Sequence, residues 1–186
     1  MLTWINTEAG LGLFISQGLA DSMAALGREK YPKEFGGILM GRYIHDHTVA
    51  LVEDIVLPSK YRSSHFYFER GSDGLRDVLK RHYSASPSLI YVGEWHTHPD
   101  REPEPSRTDF QAMMTLAGDP GVFICNPILL IIGLNKDNYK IGAYVFYNEK
   151  LLPYVSQTAA PDGHQEAFHG PAADDDRAAN EHPGEH

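Results

Sequence analysis

Glu94-Trp95-His96-Thr97-His98-Pro99 is followed by a serine at Ser106 and a carboxylate at Asp109. Residues i and i+2 of an extended strand point to the same side. His96 and His98 can therefore aim two imidazoles at one point. Pro99 has no N–H for a sheet ladder and tends to end the strand there. The proline-rich loop to Pro105 lets the chain turn back and present Asp109 from a new element. Two imidazole nitrogens and a carboxylate oxygen are the three protein donors of many catalytic zinc sites, which keep a fourth position open for water. A His-x-His pair alone is weak evidence of metal. His45 and His47 form a second such pair, but in a polar turn, with the next carboxylates (Glu53, Asp54) in the following strand. They read as solvated turn residues.

Outward from this stretch, 186 residues with 42% hydrophobic content suit one domain with a full core. The formal charge is −9. Residues 156–186 hold seven acidic residues against one arginine, which is −6 and leaves −3 for residues 1–155. A nearly neutral body with an acidic tail lacks the Lys/Arg stripe that nucleic acids reward, so no nucleic-acid partner is expected. Cys125 is the single cysteine, so no intrachain disulfide can form, which suits a reducing, cytoplasmic setting. The start lacks a basic, then apolar signal segment, and the run Ile128–Ile132 is far too short to span a membrane. The expected organisation is a zinc hydrolase domain over 1–155 and an acidic, disordered tail over 156–186.

The pattern predicts strands over 1–6 and 11–16, then a helix over 17–29 capped by Ser16. Strands over 34–43 and 49–57 read as a hairpin around the His45–His47 turn. Two glycines at its start, Gly36 and Gly37, suggest a bulge or a close backbone approach. A short aromatic strand is expected at 65–68, and a helix from a Ser72 cap to Tyr83. The histidine strand spans 89–98, a helix runs from Ser106 to 117, and apolar strands cover 128–134 and 141–147 with a turn at 135–138. The fold class is therefore α/β in the α+β sense: a mixed, largely antiparallel sheet flanked by helices.

Each candidate also has a plain structural reading. Ser106 and Asp109 match an ordinary capping box, Ser-x-x-acid before an apolar helix. That geometry is compatible with chemistry, because a helix N-terminus helps keep a carboxylate ionised. Glu34 and Glu94 compete as general base: Glu94 shares a strand face with both histidines, Glu34 is marked only by its glycine pair. The residues alone leave that choice open. Cys125, among apolar neighbours, reads as inert packing. The HExxH helix of other zinc proteases is absent, as are the paired cysteines of zinc deaminases.

Taken together, Glu34-Phe35-Gly36-Gly37 through Gly41, His96-Thr97-His98-Pro99 and Ser106-Arg107-Thr108-Asp109 resemble the JAB/MPN (JAMM) metalloprotease family, over roughly residues 12–150. The sequence looks most like the short prokaryotic JAB branch, which includes members beside ubiquitin-transfer-like genes in mobile elements and antiphage operons of the CBASS type. Glu94 departs from the commonest family pattern. The resemblance implies a cytidine deaminase-like architecture and one zinc ion held by His96, His98 and Asp109. It implies Glu34 as general base and then general acid, and Ser106 as donor to the oxyanion. The implied reaction is hydrolysis of the bond after the C-terminal tail of a ubiquitin-like protein, bound extended beside a strand. Such a tail would come from a ubiquitin-like conjugate, with a ubiquitin-transfer-like enzyme system as a further partner. The competing readings are a non-catalytic scaffold of the same fold and a RadC-like, nucleic-acid-associated protein, whose motif is locally similar.

Overall fold

A computed structural model describes residues 1–71, 73–120, 122, 124 and 126–157. The proposed Ser72 cap, Cys125 and the chain from 158 onward lie outside the described residues. In chain order the elements are β1 (Leu2–Asn6), β2 (Leu11–Ile15), α1 (Gln17–Lys30), β3 (Gly36–Ile44), β4 (Val49–Val56), β5 (Tyr61–Ser64) and β6 (Tyr67–Arg70). They continue with α2 (Leu75–Tyr83), β7 (Ile90–Pro99), α3 (Arg107–Gly118), β8 (Ile128–Leu134), β9 (Tyr139–Tyr147), β10 (Lys150–Pro153) and β11 (Val155–Ser156). No helix among the described residues is long and apolar enough to cross a membrane.

Among the described residues, one mixed sheet runs in the order β10-β9-β8-β7-β3-β4-β2-β1-β11. The pairs β7–β8 and β2–β4 are parallel and the rest antiparallel. The parallel pair β7–β8 needs a crossover, and α3 supplies it. β8 is buried along its whole length because both of its faces are covered. Its side chains alternate: Ile128, Leu130, Ile132 and Leu134 join a core with Met23 and Ala24 of α1. Leu129 and Ile131 join a second core with Met113 and Leu116 of α3. Helices therefore cover both faces of the sheet, as the mixed α+β expectation requires.

One irregularity in β7 decides which residues share a face. Leu39 pairs with Gly93 but Met40 pairs with Tyr91, so Val92 is an extra residue on β7. A bulge of this kind shifts the alternation by one. Val92 and Trp95 consequently face the α1 core, while Tyr91 faces the α3 side with Glu94, His96 and His98. The glycine pair serves close approach, as its second reading expected. A Cβ on Gly36 would lie 2.1 Å from the Trp95 carbonyl oxygen and 2.8 Å from the His96 Cα.

Three local expectations need correction. The aromatic segment at 65–68 is the turn and start of a separate hairpin, β5–β6, with Ser64 opposite Tyr67 and Tyr61 opposite Arg70. Its first strand, Tyr61-Arg62-Ser63-Ser64, is polar and mostly exposed, so no hydrophobic alternation marks it. The helix α2 begins after Gly74, whose φ is 71° and which makes no side-chain cap. The sheet also continues past Tyr147: β10 pairs with β9, and β11 pairs with β1. Gln157 N donates to Thr3 O at 2.8 Å, so the last described residues still belong to the sheet edge.

Candidate active site

His96 and His98 are buried on β7 and their Nε2 atoms lie 3.0 Å apart. Between them, Thr97 faces the other way and locks the neighbouring segment in place: Thr97 N donates to Phe35 O at 2.8 Å and Phe35 N donates to Thr97 Oγ1 at 3.0 Å. This pins the residue before Phe35, Glu34, against the histidines. Glu34 N also donates to Ser64 O of the β5–β6 hairpin at 2.8 Å. Glu34 is only 4% exposed.

Asp109 arrives from the first turn of α3. The capping box is present: Asp109 N donates to Ser106 Oγ at 3.2 Å and Ser106 N donates to Asp109 Oδ2 at 2.6 Å. The same box aims the other oxygen, Oδ1, at the His96 Nε2, 3.4 Å away. Asp109 Oδ2 lies 4.0 Å from the His98 Nε2. Capping and convergence on the histidines thus coexist. Ser106, exposed at the helix start, lines the same cleft as Glu34, His96, His98, Asp109 and the hairpin residues Phe66, Tyr67 and Phe68.

The donor set fits a metal ion. Nitrogen and oxygen ligands about 2.0–2.1 Å from a tetrahedral zinc sit roughly 3.3 Å from one another. The two Nε2 atoms are 3.0 Å apart, and the Asp109 carboxylate reaches them through different oxygens, Oδ1 at 3.4 Å from His96 and Oδ2 at 4.0 Å from His98, all near that edge. Glu34, His96 and His98 also form a buried group whose donor atoms all lie within 4.8 Å, a group that could hold a metal ion. Two carboxylates therefore compete for the third ligand position. One oxygen of Glu34 is already engaged by the Arg101 guanidinium, whereas among the described residues Asp109 Oδ1 meets no Lys or Arg.

The protonation states agree. Burial lowers the pKa of both imidazoles, that of His98 to about 4 with help from neighbouring His96 and Arg101. Both rings are neutral near pH 7. His98 Nδ1 lies 3.3 Å from the Glu102 carbonyl, which can only accept, so Nδ1 carries the proton and Nε2 keeps its lone pair for a ligand. Burial pushes the Glu34 carboxyl up to about 7, against the opposing pull of Arg101. A carboxyl poised near neutral pH suits proton transfer in both directions.

Glu94 has another task. Its Oε1 accepts from Arg70 Nε at 2.8 Å, from a second Arg70 nitrogen at 2.7 Å and from Tyr91 Oη at 2.6 Å. That trio clasps β6 to β7 and so ties the hairpin to the histidine strand. The second His-x-His pair forms a turn of left-handed residues, with φ of 50° at His45 and 66° at His47. The nearby carboxylates are used elsewhere, Glu53 on Arg42 and Asp54 on His82. Arg101 and Phe66 carry no pattern that marks them in the sequence, yet both line the cleft.

The family described as prokaryotic homologs of the JAB domain matches residues 16–147. A protein of Enterobacter hormaechei subsp. hoffmannii (strain UCI 50) named CD-NTase/cGAS isopeptidase is 35% identical over 77% of this chain and 80% of its own length. Proteins of the same name from Pseudomonas aeruginosa (strain BWHPSA011 / Pa011) and Escherichia coli (strain TW11681) are 35% and 27% identical, over 41% and 56% of this chain and 48% and 64% of their own lengths. The solution structure of protein DSY2949 from Desulfitobacterium hafniense superposes with a TM-score of 0.59 at 21% identity, covering 76% of this chain and 88% of that one. With a family match over most of its length and a site of this geometry, the chain belongs to the prokaryotic homologs of the JAB domain.

Proposed function

We propose that this protein is a zinc-dependent isopeptidase that releases a ubiquitin-like protein, through its C-terminus, from a conjugate with a CD-NTase-type protein. The observation that carries the reading is the convergence of the His96 and His98 Nε2 atoms and the Asp109 carboxylate beside the buried Glu34 carboxyl. His96, His98 and Asp109 would hold the ion, and Glu34 stays free of it as the base. When bound, zinc supplies Lewis acidity that polarises the scissile carbonyl and acidifies water. The names of the curated relatives support the substrate class.

The chain's own groups then divide the work. Glu34, whose pKa burial raises, takes a proton from the attacking water and returns it to the departing amine. Ser106 Oγ accepts from Asp109 N and so keeps its own proton to donate to the tetrahedral oxyanion, a contribution of about 3 kcal/mol where such a donor is lost. The capping box orients Ser106 and Asp109 together, and the hairpin walls the cleft from solvent.

The test is metal content and cleavage measured side by side. Purified wild type is expected to hold zinc and to cleave a ubiquitin-like protein fused at its C-terminus to a reporter or joined to a CD-NTase. Glu34→Gln is expected to keep the zinc and lose turnover, and Asp109→Ala to lose both. Zinc loss in Glu34→Gln would make Glu34 the third ligand. A wild type that holds no zinc and cleaves nothing would favour a scaffold role.

A further inference from the structure

The Glu34 backbone is fixed by Ser64 and, through Phe35, by Thr97. Its side chain is not fixed by these bonds. A glutamate has three torsions beyond Cα, and a base must present one oxygen at a defined place. Among the described residues, the Arg101 guanidinium is the only hydrogen-bond partner of the Glu34 carboxylate, meeting it at Oε1.

Arg101 is itself well placed. The preceding Asp100 is tied down twice: its N donates to Leu134 O at 2.8 Å, and its Oδ2 accepts from Tyr31 Oη at 2.5 Å. The Arg101 carbonyl lies so close over Gly133 that a Cβ there would come within 2.6 Å. At its far end the guanidinium sits 5.1 Å from the centre of the Phe66 ring, at the tip of the β5–β6 hairpin. Phe66 is 71% exposed and belongs to neither apolar core among the described residues. Among the described residues, the buried Arg101 Nε has no hydrogen-bond partner. The side chain as a whole is one-third exposed, so this is not a free surface ion pair.

We propose that Arg101 is a positioning residue that holds the Glu34 carboxylate at its working place beside the paired histidines, with Phe66 holding Arg101 in turn. The inference rests on the peptidase reading above and adds a residue to it. Its physical content is that a base displaced by about 1 Å costs about a hundredfold in rate while leaving binding intact. Arginine is suited to the role because its planar fork meets a carboxylate edge while its face stacks on an aromatic ring.

The experiment uses the zinc-loaded full chain and the variants Arg101→Ala, Arg101→Lys and Phe66→Ala, with a ubiquitin-like fusion as substrate. Zinc content and melting temperature are read first: zinc is expected to match wild type, and melting to fall only modestly where Glu34 loses its partner, with cleavage assayed well below it. For Arg101→Ala, kcat is expected to fall about a hundredfold with KM within about twofold. Ethylguanidine at a non-denaturing concentration is expected to restore part of the loss. Arg101→Lys keeps the charge without the fork and falls between, and Phe66→Ala loses a few-fold at most. An unchanged kcat, a rise in KM alone, or a loss that tracks zinc content or melting temperature would each overturn the proposal. A rise in kcat would overturn it too, since Arg101 would then be blocking the cleft. If wild type cleaves and Arg101→Ala cleaves equally, only this inference fails. If wild type holds no zinc and cleaves nothing, the peptidase reading fails and takes this one with it.

Discussion

Gly36→Ala tests how the two halves of the site are held together. Gly36 pairs with His96 across β3 and β7 and lies two residues after Glu34. The new Cβ would sit 2.1 Å from the Trp95 carbonyl oxygen, where real contacts stay beyond 3.0 Å. The atom it meets is backbone, so no side chain can swing aside, and β3 must retreat by about 1 Å. Overpacking of this kind costs about 1–3 kcal/mol, and a rigid backbone neighbour puts this site near the upper end. At about 2–4 °C per kcal/mol for a domain of this size, the melting temperature should drop by roughly 6–12 °C. Activity should suffer more than stability, because Glu34 rides on the displaced segment, and about 1 Å there costs about a hundredfold in kcat. The assay is a thermal melt alongside cleavage well below the melting point. The control is Gly18→Ala in α1, where the added methyl meets nothing within 4 Å. That change should raise stability slightly, by about 0.5–1 kcal/mol, and leave cleavage alone. A Gly36→Ala protein that melts and cleaves like wild type would refute the claim that strand contact sets the base.

Further predictions concern the Glu94 clasp, the Glu34 carboxyl and the end of the sheet. Glu94→Ala leaves Arg70 and the Tyr91 hydroxyl without their shared acceptor, so it should cost about 1–3 kcal/mol and loosen the hairpin, seen as faster amide exchange over 61–70; catalysis lost as completely as in Glu34→Gln would instead make Glu94 the base. Burial raises the Glu34 pKa from 4.5 to about 7 in the zinc-free chain; a bound divalent cation lowers it, so kcat should decline along an acid limb centred below pH 7. In the zinc-free chain the folded state binds a proton that the unfolded state does not between those values, so Glu34 stabilises most below pH 4.5 and that contribution is lost as pH rises through 7; melting of Glu34→Gln at several pH values should lack this decline. Truncation after Gln157 should leave the melting temperature unchanged, because residues 158–186 carry few apolar groups. Truncation after Tyr154 should lower it, since it removes the pairing of Val155 and Ser156 with β1.

Much of this molecule is legible from local pattern. The unbroken apolar run of β8, the Ser16 cap of α1 and the alternation of His96 with His98 each follow from one element's own periodicity. Other features depend on residues far apart in the chain. The β5–β6 hairpin escapes notice because its first strand is polar and its partner is only itself. β10 and β11 are short edge strands, too brief to show a period. The choice between Glu34 and Glu94 could not be made from strand position. Both glutamates approach the histidine face, and what separates them is their partners: Arg70 and Tyr91 occupy Glu94, whereas Glu34 is buried against Arg101.

By itself, the sequence marked the candidate donors. His96, His98 and Asp109 are spaced so that a strand and a helix N-terminus can aim them at one point, because strand alternation and capping geometry are local properties of a few residues. Only the tertiary structure decided what surrounds them. The Val92 bulge sets the face on which the histidines lie, Gly36 lets β3 approach His96, and the Asp100–Arg101 loop brings a guanidinium to Glu34. Each of these depends on the packing of distant segments, and a glutamate's burial, partners and acidity exist only once those segments have closed around it.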